Sequence, residues 1–168
     1  MRDGAPGRGR AMLAPMRLSR QARYAMSGVF DLAYNGRGHP VQVRVISERQ
    51  RIPPRYLEQI FQRLRKAELV AGKRGPGGGY VLAREPREIT LRDIVEAVEG
   101  PFERAGLSPE PVAAAPDHRP RFLWSLVAEN LAGALAEIDL DTVCRRAARE
   151  AVPRSEPAAL VPLTREEL

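Results

Sequence analysis

The sequence has little of what several classes of protein depend on. Its 168 residues include one cysteine, Cys144, so an internal disulfide is impossible and a disulfide-stabilised secreted domain is excluded. No apolar run approaches the roughly 18 residues of a membrane-spanning helix. Residues 1–15 contain cations but lack the apolar core of a secretory signal. We therefore expect a cytoplasmic protein that does not act at a membrane.

Catalytic groups are also scarce. The chain has two histidines, and the sequence shows no pairing of a nucleophile with a base and no glycine-rich cofactor loop of a known type. Asp139 and Asp141 could pass for a pair of catalytic carboxylates, but no histidine or lysine accompanies them. A helix cap is the better interpretation of Asp139. We expect no enzyme.

Positive charge is present in excess and is unevenly distributed. The net charge of the chain is +6. Residues 16–100 carry sixteen Arg and Lys against nine Asp and Glu, whereas residues 101–168 carry eight against eleven. The excess therefore lies in one segment, as expected for a module that binds phosphates.

The stretch from Ile52 to Tyr80 organises that basic segment. Pro53 and Pro54 suit the first turn of a helix, where the missing N–H has no partner to lose. The helix is expected to end near Glu68. Its apolar residues recur at helical spacing, and polar residues run down another face that could meet phosphates and base edges. The apolar stripe is Leu57, Ile60, Phe61 and Leu64, and the polar face is Arg55, Gln59, Gln62 and Lys66.

A basic hairpin is predicted directly after this helix. Val70–Arg74 and Tyr80–Leu82 have the pattern of short strands, and five residues, Gly75-Pro76-Gly77-Gly78-Gly79, turn the chain between them. Lys73 and Arg74 put cations at the base of the turn. Taken singly, a glycine run is ordinarily only a turn and a charged helix face is ordinarily only solvated. Their order and adjacency favour a winged helix-turn-helix that binds duplex DNA.

The elements before the wing complete that motif. Arg17–Asn35 is predicted to be a helix whose apolar face packs under the recognition helix, and Val45–Gln50 is predicted to be the first helix of the helix-turn-helix. Val41–Val43 is expected to form a short strand against the wing. Arg51 lies in the turn, where a positive φ would cost arginine about 1 kcal/mol or less. The apolar face of the first helix comprises Ala22, Met26, Val29, Phe30 and Ala33.

Candidate DNA contacts follow from this arrangement. Arg55, at the start of the recognition helix, is suited to guanine, and Glu58 can accept from a cytosine amine. For Glu58, pairing within its own helix explains the residue equally well. The arginines of the first helix are explained equally well as cations at a solvated helix end. The full candidate set is Arg17, Arg20, Arg23, Arg55, Tyr56, Glu58, Gln59, Lys73, Arg74, Gly75, Gly77 and Gly78.

Several of these motifs resemble one bacterial family. The sequence is similar to the IscR-like regulators of the Rrf2 family from about Met16 to Gly100, and less clearly to about Ala148. The resemblance implies a homodimeric winged-helix repressor or activator, with a dimerisation helix and a sensor loop after the DNA-binding domain. The motifs that carry it are Met16-Arg17-Leu18-Ser19, Arg23-Tyr24-Ala25, Ile46-Ser47-Glu48-Arg49-Gln50, Tyr56-Leu57-Glu58-Gln59, Leu64-Arg65-Lys66 and Arg74-Gly75-Pro76-Gly77-Gly78-Gly79-Tyr80.

The segment that matches the sensor loop departs from the family pattern. IscR-like members place three cysteines and a histidine there to hold a two-iron two-sulfur cluster, which needs thiolate or imidazole ligands. This chain has no cysteine between residues 101 and 120 and only His118 and Asp117 near the corresponding positions. We therefore expect no iron–sulfur cluster, no metal and no other cofactor.

The C-terminal part is expected to mediate dimerisation. Arg121–Asp139 is predicted to be a long helix with a seam at Trp124, Val127, Leu131, Ala134 and Ile138. Two heptads do not prove a coiled coil, and such a stripe is more often intramolecular core. A short helix, Thr142–Glu150, is expected to follow. It contains Cys144, which is either a small packed residue or, if Arg145 and Arg146 lower its pKa, a redox-active thiol.

The predicted fold is mainly α with a small β-wing, namely a winged helix-turn-helix domain plus a long dimerisation helix. The leading functional hypothesis is a cluster-free regulator that binds double-stranded DNA. The alternatives are a regulator that acts chiefly by binding a protein partner and a thiol-based redox sensor that uses Cys144. A regulatory protein or a small-molecule effector is the expected further partner. The expected domains are 1–15, an extension or a mis-assigned start; 16–100, the DNA-binding domain; 101–120, a degenerate sensor loop; 121–150, the dimerisation and following helices; and 151–168, a flexible tail.

Overall fold

The computed structural model describes residues 18–102 and 121–155. The predicted extension 1–15, Arg17, most of the predicted sensor loop and residues 156–168 lie outside these ranges. Within them the chain forms six α-helices, a short 3-10 helix (Pro86–Glu88) and one two-stranded antiparallel sheet. The elements are α1 (Arg20–Gly36), α2 (Val43–Gln50), α3 (Pro54–Lys66), β1 (Val70–Lys73), β2 (Gly79–Leu82), α4 (Leu91–Glu99), α5 (Arg121–Ala136) and α6 (Leu140–Arg149). The predicted fold class, mainly helical with a small sheet, is confirmed.

Local signals set several helix ends. The Ser19 hydroxyl accepts a hydrogen bond from the N–H of Ala22 and caps α1. Thr90 and Asp93 form the predicted capping box of α4, each side chain bonding to the other residue's backbone N–H. Asp139 accepts from the N–H of Thr142 at 2.6 Å and caps α6, and this bond lowers the pKa of its carboxyl group. The interpretation of Asp139 as a cap is therefore confirmed.

The main core lies between α1, α2, α3 and α4. Its centre is the predicted apolar stripe of α3, and all four members, Leu57, Ile60, Phe61 and Leu64, are buried. Burying a side chain of this kind stabilises a fold by roughly 1.5–3 kcal/mol. Gly28 lets α1 approach closely, since a Cβ there would stand 2.9 Å from a ring carbon of Phe61. The amphipathic period of α3 therefore determines which of its faces is left for solvent.

Two of the predicted details near α1 are confirmed only in part. Val41 contacts the wing through one isolated bridge to Tyr80, but Val41–Val43 is no strand, because Val43 is already the first residue of α2. The predicted face of α1 is buried or packed on the core except for Phe30, which is half-buried and stacks on Tyr34, whereas Leu32 is buried without having been predicted. Helix α1 packs on several elements at once, so its buried surface is wider than one stripe.

A second, smaller core joins α5 to α1 and α4. Ala128, Ala132 and Leu135 on α5 are buried with Val95 and Phe102. Backbone hydrogen bonds hold the connection between α5 and α6, with the N–H of Leu91 donating to the Ile138 carbonyl and that of Leu140 donating to the Ile89 carbonyl. Phe102, which the sequence assigns to the loop, is therefore part of the packed structure.

The start of the predicted flexible tail makes two hydrogen bonds to α1. The Tyr34 hydroxyl donates to the Val152 carbonyl at 2.9 Å, and the N–H of Ser155 donates to the Asn35 side-chain carbonyl at 2.9 Å. Val152, Pro153 and Arg154 are nevertheless exposed, and the flexibility of the tail stays a prediction. Proline-rich composition suggests an irregular backbone, but it does not reveal whether that backbone docks.

Candidate nucleic-acid interface

The turn between α2 and α3 has the geometry of a helix-turn-helix. Arg51 ends α2 in the left-handed region with φ of 54°, as the sequence suggested for this position. The turn is held from both sides, because the N–H of Ile52 donates to the Ser47 carbonyl at 3.0 Å and the Ser47 hydroxyl donates to the Ile52 carbonyl at 2.6 Å. Ser47 and Ile52 are both buried. The direction in which α3 leaves the turn is therefore well defined.

The exposed face of α3 carries the predicted reading residues. Arg55, Glu58 and Gln59 are exposed, as are Gln62 and Lys66 further along the same helix. None of the first three makes a side-chain hydrogen bond or ion pair within residues 18–102 and 121–155. The alternative for Glu58, pairing within its own helix, is therefore not observed. These polar groups are positioned to bond with an external partner.

Tyr56 differs from its neighbours on α3. It is half-buried, and its ring meets the Tyr24 ring edge to face with centroids 5.7 Å apart. An aromatic pair of this geometry contributes about 0.5–1.5 kcal/mol beyond its buried area. Tyr56 therefore joins α3 to α1, in addition to the DNA contact that the sequence predicted for it.

The wing is a tight hairpin with an exposed basic end. Strands β1 and β2 pair with Lys73 opposite Gly79, and the N–H of Gly78 donates to the Gly75 carbonyl at 2.8 Å to close the turn. Glycine is required at position 78, because a Cβ there would stand 2.5 Å from the Lys73 carbonyl oxygen. Lys73 and Arg74 are exposed together with Gly75 and Gly77, so the predicted wing residues form one accessible surface.

Three residues outside the candidate DNA contacts attach this wing to the domain. Val41 exchanges two backbone hydrogen bonds with Tyr80, at 2.8 and 2.9 Å. A Cβ on Gly79 would stand 2.4 Å from the Val41 carbonyl oxygen, so only glycine permits this approach. The Tyr80 ring also packs on Phe61 with centroids 5.0 Å apart. The GGGY sequence was the available signal, since glycine beside an aromatic in a strand indicates close backbone contact.

Two of the three DNA contacts predicted on the first helix lie among the described residues. Arg20 and Arg23 are exposed at the start of α1, whereas Arg17 lies outside the described residues. The end of α4 fixes this part of α1, because the Ser19 hydroxyl donates to the Glu99 carboxylate and the Gln21 amide donates to the Val98 carbonyl. The structure thus places cations on α1, α3 and the wing, all of them in the N-terminal half of the chain.

The outer side of α5 carries the predicted dimer seam. Val127 and Leu131 are half-buried, Ala134 and Ile138 are exposed, and the side chain of Trp124 lies outside the description. Phe122, Leu123 and Leu126 add exposed apolar surface at the start of the helix, and Phe122 is 73% exposed. Ala128, Ala132 and Leu135 face inward, and Leu131 of the predicted seam also packs against this core. Helix α5 therefore has one apolar face on its own domain and another that no described element covers.

Cys144 does not have the environment of a reactive thiol. It is half-buried, and burial together with the nearby Asp141 carboxylate raises its pKa to about 11. Arg145 pairs with Asp141 at 2.7 Å and Arg146 pairs with Glu150 at 2.8 Å. The condition on which the redox alternative depended, two arginines that lower the thiol pKa, is not met. Thiolate chemistry is correspondingly disfavoured.

The donor set does not fit an iron–sulfur cluster. A two-iron two-sulfur centre requires four thiolate or imidazole ligands, and the whole chain holds one cysteine and two histidines. Cys144 lies in α6, and no group of three or more His, Cys, Asp and Glu with metal-binding geometry occurs among the residues that the structure describes.

Over the same residues, no helix is long and apolar enough to cross a bilayer.

A helix-turn-helix whose exposed polar face adjoins a glycine-turned hairpin defines a winged helix-turn-helix protein. The sequence model of the Rrf2 family, described as "Iron-dependent Transcriptional regulator", matches residues 18–146. The chain belongs to the Rrf2 family of transcriptional regulators, as its motifs predicted.

Relatives of known sequence and structure agree with this assignment. The chain is 48% identical over 84 residues to the HTH-type transcriptional regulator IscR of Cronobacter sakazakii, which is 50% of this chain and 52% of that protein. It is 46% identical over the same length to IscR of Escherichia coli K12, again across 52% of the relative. The chain thus spans about half the length of the curated relatives it matches. These relatives are regulators and not enzymes, which confirms the expectation that the chain is no enzyme.

Solved structures extend the likeness beyond the N-terminal half. The structure of IscR from T. potens superposes with a TM-score of 0.66 at 32% identity, across 84% of this chain and 94% of that one. The structure of CymR, the global cysteine regulator of B. subtilis, superposes with a TM-score of 0.63 at 31% identity, across 78% and 98%. The arrangement of α5 and α6 after the winged domain is therefore shared with known Rrf2 regulators.

Proposed function

We propose that this protein is a sequence-specific, cytoplasmic DNA-binding regulator of transcription that acts as a homodimer on a pseudo-palindromic operator and holds no iron–sulfur cluster. One observation carries the proposal. Arg55, Glu58 and Gln59 lie exposed and unpaired on the helix that follows the helix-turn-helix turn, and the wing that comes next in the chain exposes the cations Lys73 and Arg74. Unpaired donors and acceptors on a rigid helix are suited to base edges, and wing cations are suited to phosphates.

Affinity and sequence preference would come from two different kinds of contact. Arg20, Arg23, Lys73 and Arg74 contact phosphates and supply affinity that falls steeply with salt, because each neutralised phosphate releases counterions. Arg55 reads a guanine and Glu58 accepts from a cytosine amine, which supplies preference among sequences. Glycines 75, 77 and 78 let the wing backbone come close to the DNA surface. This division is supported by the exposure of these side chains, with Tyr56 bracing α3 against α1.

Dimerisation follows from the second apolar face of α5. An exposed apolar stripe along a helix marks an interaction surface more often than a solvated one. A two-fold axis beside α5 would pair the seam of one subunit with that of its partner and present two α3 helices to half-sites one helical turn apart. The proposed interface comprises Trp124, Val127, Leu131, Ala134 and Ile138, extended by the exposed Phe122 and Leu126.

The signal that controls binding is then a protein or a small molecule and not a cluster. The donor count leaves the chain without the ligands that a cluster needs. The pKa of Cys144, raised to about 11, leaves little thiolate at neutral pH. An effector that binds without cluster chemistry is therefore the form of input that the chain's own residues allow.

The decisive experiment is a selection from a random duplex library by the full-length protein purified without oxygen, with its visible spectrum recorded first. We expect a colourless protein that enriches one two-fold symmetric sequence and binds it at least about a thousandfold more tightly than random duplex at physiological salt. Titrations at several salt concentrations should show a strongly negative slope for both duplexes. A coloured protein would refute the cluster-free assignment, and failure to enrich any sequence would refute sequence-specific binding.

A further inference from the structure

Helix α1 holds a fully buried carboxylate that no step of DNA contact uses. Asp31 has no solvent exposure. Its Oδ1 accepts hydrogen bonds at 3.0 Å from the amides of Asn35 and Gln50, and its Oδ2 accepts one at 3.2 Å from the guanidinium of Arg49. A carboxylate buried in a protein interior is unfavourable unless its hydrogen-bond partners are well placed. This carboxylate is therefore surrounded by partners that specify one arrangement.

The position of those partners relates the cluster to the DNA-reading helix. Arg49 and Gln50 are the last two residues of α2, and they stand immediately before Arg51, the left-handed residue of the turn into α3. Asp31 thus binds the helix-turn-helix at the point where the direction of α3 is set. A shift at this point would move Arg55 and Glu58 relative to any base edge they contact.

The same cluster continues to a segment more than a hundred residues away. Asn35, which donates to Asp31, also accepts the backbone N–H of Ser155 at 2.9 Å. Tyr34 directly precedes Asn35 on α1, and its hydroxyl donates to the Val152 carbonyl. The Arg154 guanidinium lies 4.4 Å above the centre of the Tyr34 ring, in a cation–π contact. We name Val152–Ser155 the C-terminal clasp.

We propose that Asp31 is a positioning residue for sequence reading and that the C-terminal clasp completes its network, so that docking of the clasp determines how well the two helices of the helix-turn-helix are aligned for base readout. The inference rests on the proposed function. It assigns a role in DNA recognition to Asp31, Asn35 and Tyr34 of α1 and to the clasp, none of which belongs to the proposed DNA contacts. A partner that displaces the clasp would lower operator affinity from a distance.

The physical reason is that contacts to base edges tolerate less displacement of α3 than contacts to phosphates do. Bonds to base edges depend on direction and distance, so a small rotation of α3 loses them. Attraction to phosphates depends mainly on charge and survives the same rotation. Loosening the network should therefore reduce affinity for the selected operator much more than affinity for random duplex. A purely structural contribution would lower thermal stability and leave the ratio of the two affinities unchanged.

The test uses full-length protein and one matched pair of substitutions. Ser155→Pro removes the N–H that Asn35 accepts, whereas Ser155→Ala keeps that N–H and removes only the hydroxyl. Arg154 lies outside any helix, so the restriction that proline places on the residue before it breaks no helix. We expect Ser155→Pro to lower affinity for the selected operator about five- to tenfold and affinity for random duplex less than twofold, with Ser155→Ala unchanged.

A second, milder variant distinguishes loss of the clasp contacts from misfolding. Tyr34→Phe removes the hydroxyl bond to Val152 while keeping the ring under Arg154, and it should lower the same ratio by a smaller factor. Sedimentation should show that every variant retains the wild-type oligomeric state. If Ser155→Pro and Tyr34→Phe lower the melting temperature but leave the ratio of operator to random affinity at the wild-type value, the proposal is overturned. Absence of any operator preference in the wild type would instead refute the proposed function.

Discussion

The guanidinium of Arg63, in the last turn of α3, donates a hydrogen bond to the carbonyl oxygen of Val98 near the end of α4, with an N–O distance of 2.8 Å. The amide of Gln21, at the start of α1, donates to the same oxygen. The last carbonyls of a helix have no partner within it, and here one of them receives two side chains from other helices. The end of α4, which leads into the segment that matches the family's sensor loop, is thereby bound directly to the reading helix.

Replacing Arg63 by alanine should destabilise the fold. The change removes a charged donor from a helix-end carbonyl, and we expect the free energy of unfolding to fall by about 1 kcal/mol in urea titrations followed by circular dichroism. Arg65→Ala is the matched control, because Arg65 is exposed on the same turn and makes no described side-chain bond. Equal effects of the two substitutions would show that the bond to Val98 contributes nothing.

Replacing Arg55 or Glu58 by alanine should change which sequences are bound. Each side chain is exposed at the beginning of α3 with no partner of its own. Loss of a good base contact removes about 1–3 kcal/mol of discrimination at one position of the operator. A binding competition between the selected operator and its single-base variants measures this directly. If Arg55→Ala binds operator and random duplex as the wild type does, the reading face has been wrongly assigned.

Neutralising the wing should weaken binding without altering preference. Lys73→Ala removes one exposed cation at the base of the turn. Affinity for every duplex should fall by a similar factor, and the slope of log K against log salt should become shallower by roughly one. A change in operator preference with an unchanged salt slope would mean that Lys73 contacts a base and not a phosphate.

Adding one methyl group at Gly79 should weaken the attachment of the wing to the domain. In Gly79→Ala the new Cβ would stand 2.4 Å from the Val41 carbonyl oxygen, whereas Gly72, on the opposite strand, has no atom within 4 Å of that position. We expect Gly79→Ala to lower the free energy of unfolding by about 1–3 kcal/mol, the usual cost of forcing atoms into a packed site. Gly72→Ala should change it by less than about 0.5 kcal/mol. Thermal unfolding of the two variants provides the comparison.

A charge on the outer face of α5 should separate the proposed dimer. Leu126 is 50% exposed within one subunit, so Leu126→Glu should leave the fold of the subunit intact while placing a carboxylate in the interface. Sedimentation velocity should then detect a monomer with a normal far-ultraviolet spectrum. Ala128→Glu on the buried face of the same helix should instead unfold the protein. A dimeric Leu126→Glu protein would place the interface elsewhere.

The Cys144 thiol should react slowly and affect stability only at high pH. Burial and Asp141 raise its pKa to about 11 from 9.0. The folded state therefore keeps a proton that the unfolded state loses between about pH 9 and pH 11. The resulting stabilisation is fully present below pH 9 and disappears as pH rises through this window. The difference in stability between wild type and Cys144→Ser should follow that course.

Oxidant treatment tests the redox role of the same residue. Because little thiolate exists at neutral pH, wild type and Cys144→Ser should respond to mild oxidant with the same DNA affinity. Rapid alkylation of Cys144 at pH 7, or a loss of binding confined to the wild type, would restore the thiol-sensor hypothesis.

The features that could be predicted from the sequence are those that depend on residues close together in the chain. The period of Leu57, Ile60, Phe61 and Leu64 identified the buried face of α3, and Thr90 with Asp93 identified the start of α4, because helix periodicity and capping depend on neighbours a few residues apart. The wing was recognisable for the same reason. Its attachment was predicted only in part: a strand at Val41–Val43 was expected against the wing, but the structure reduces it to a single bridge from Val41 to Tyr80.

Polar side chains were the least predictable. Asp31 has the same local pattern as a solvated helix residue, and only the packing of α2 beside it makes it a buried acceptor for Arg49 and Gln50. The clasp was predicted to be part of a flexible tail because its prolines signal irregular backbone. For Cys144 the sequence left two alternatives open, and the engagement of Arg145 and Arg146 by the carboxylates of Asp141 and Glu150 favours the small packed residue over the redox-active thiol.

The sequence by itself determined the class of fold, the face of α3 that meets solvent and the lack of thiol ligands for a cluster. Each of these depends on residue type and short-range spacing, which a sequence displays. Only the tertiary structure decided that Asp31, Arg49 and Ser155 belong to one network and that Gly79 must be glycine. These features arise where segments distant in the chain are brought within bonding distance, and such distances are a property of packing and not of order along the chain.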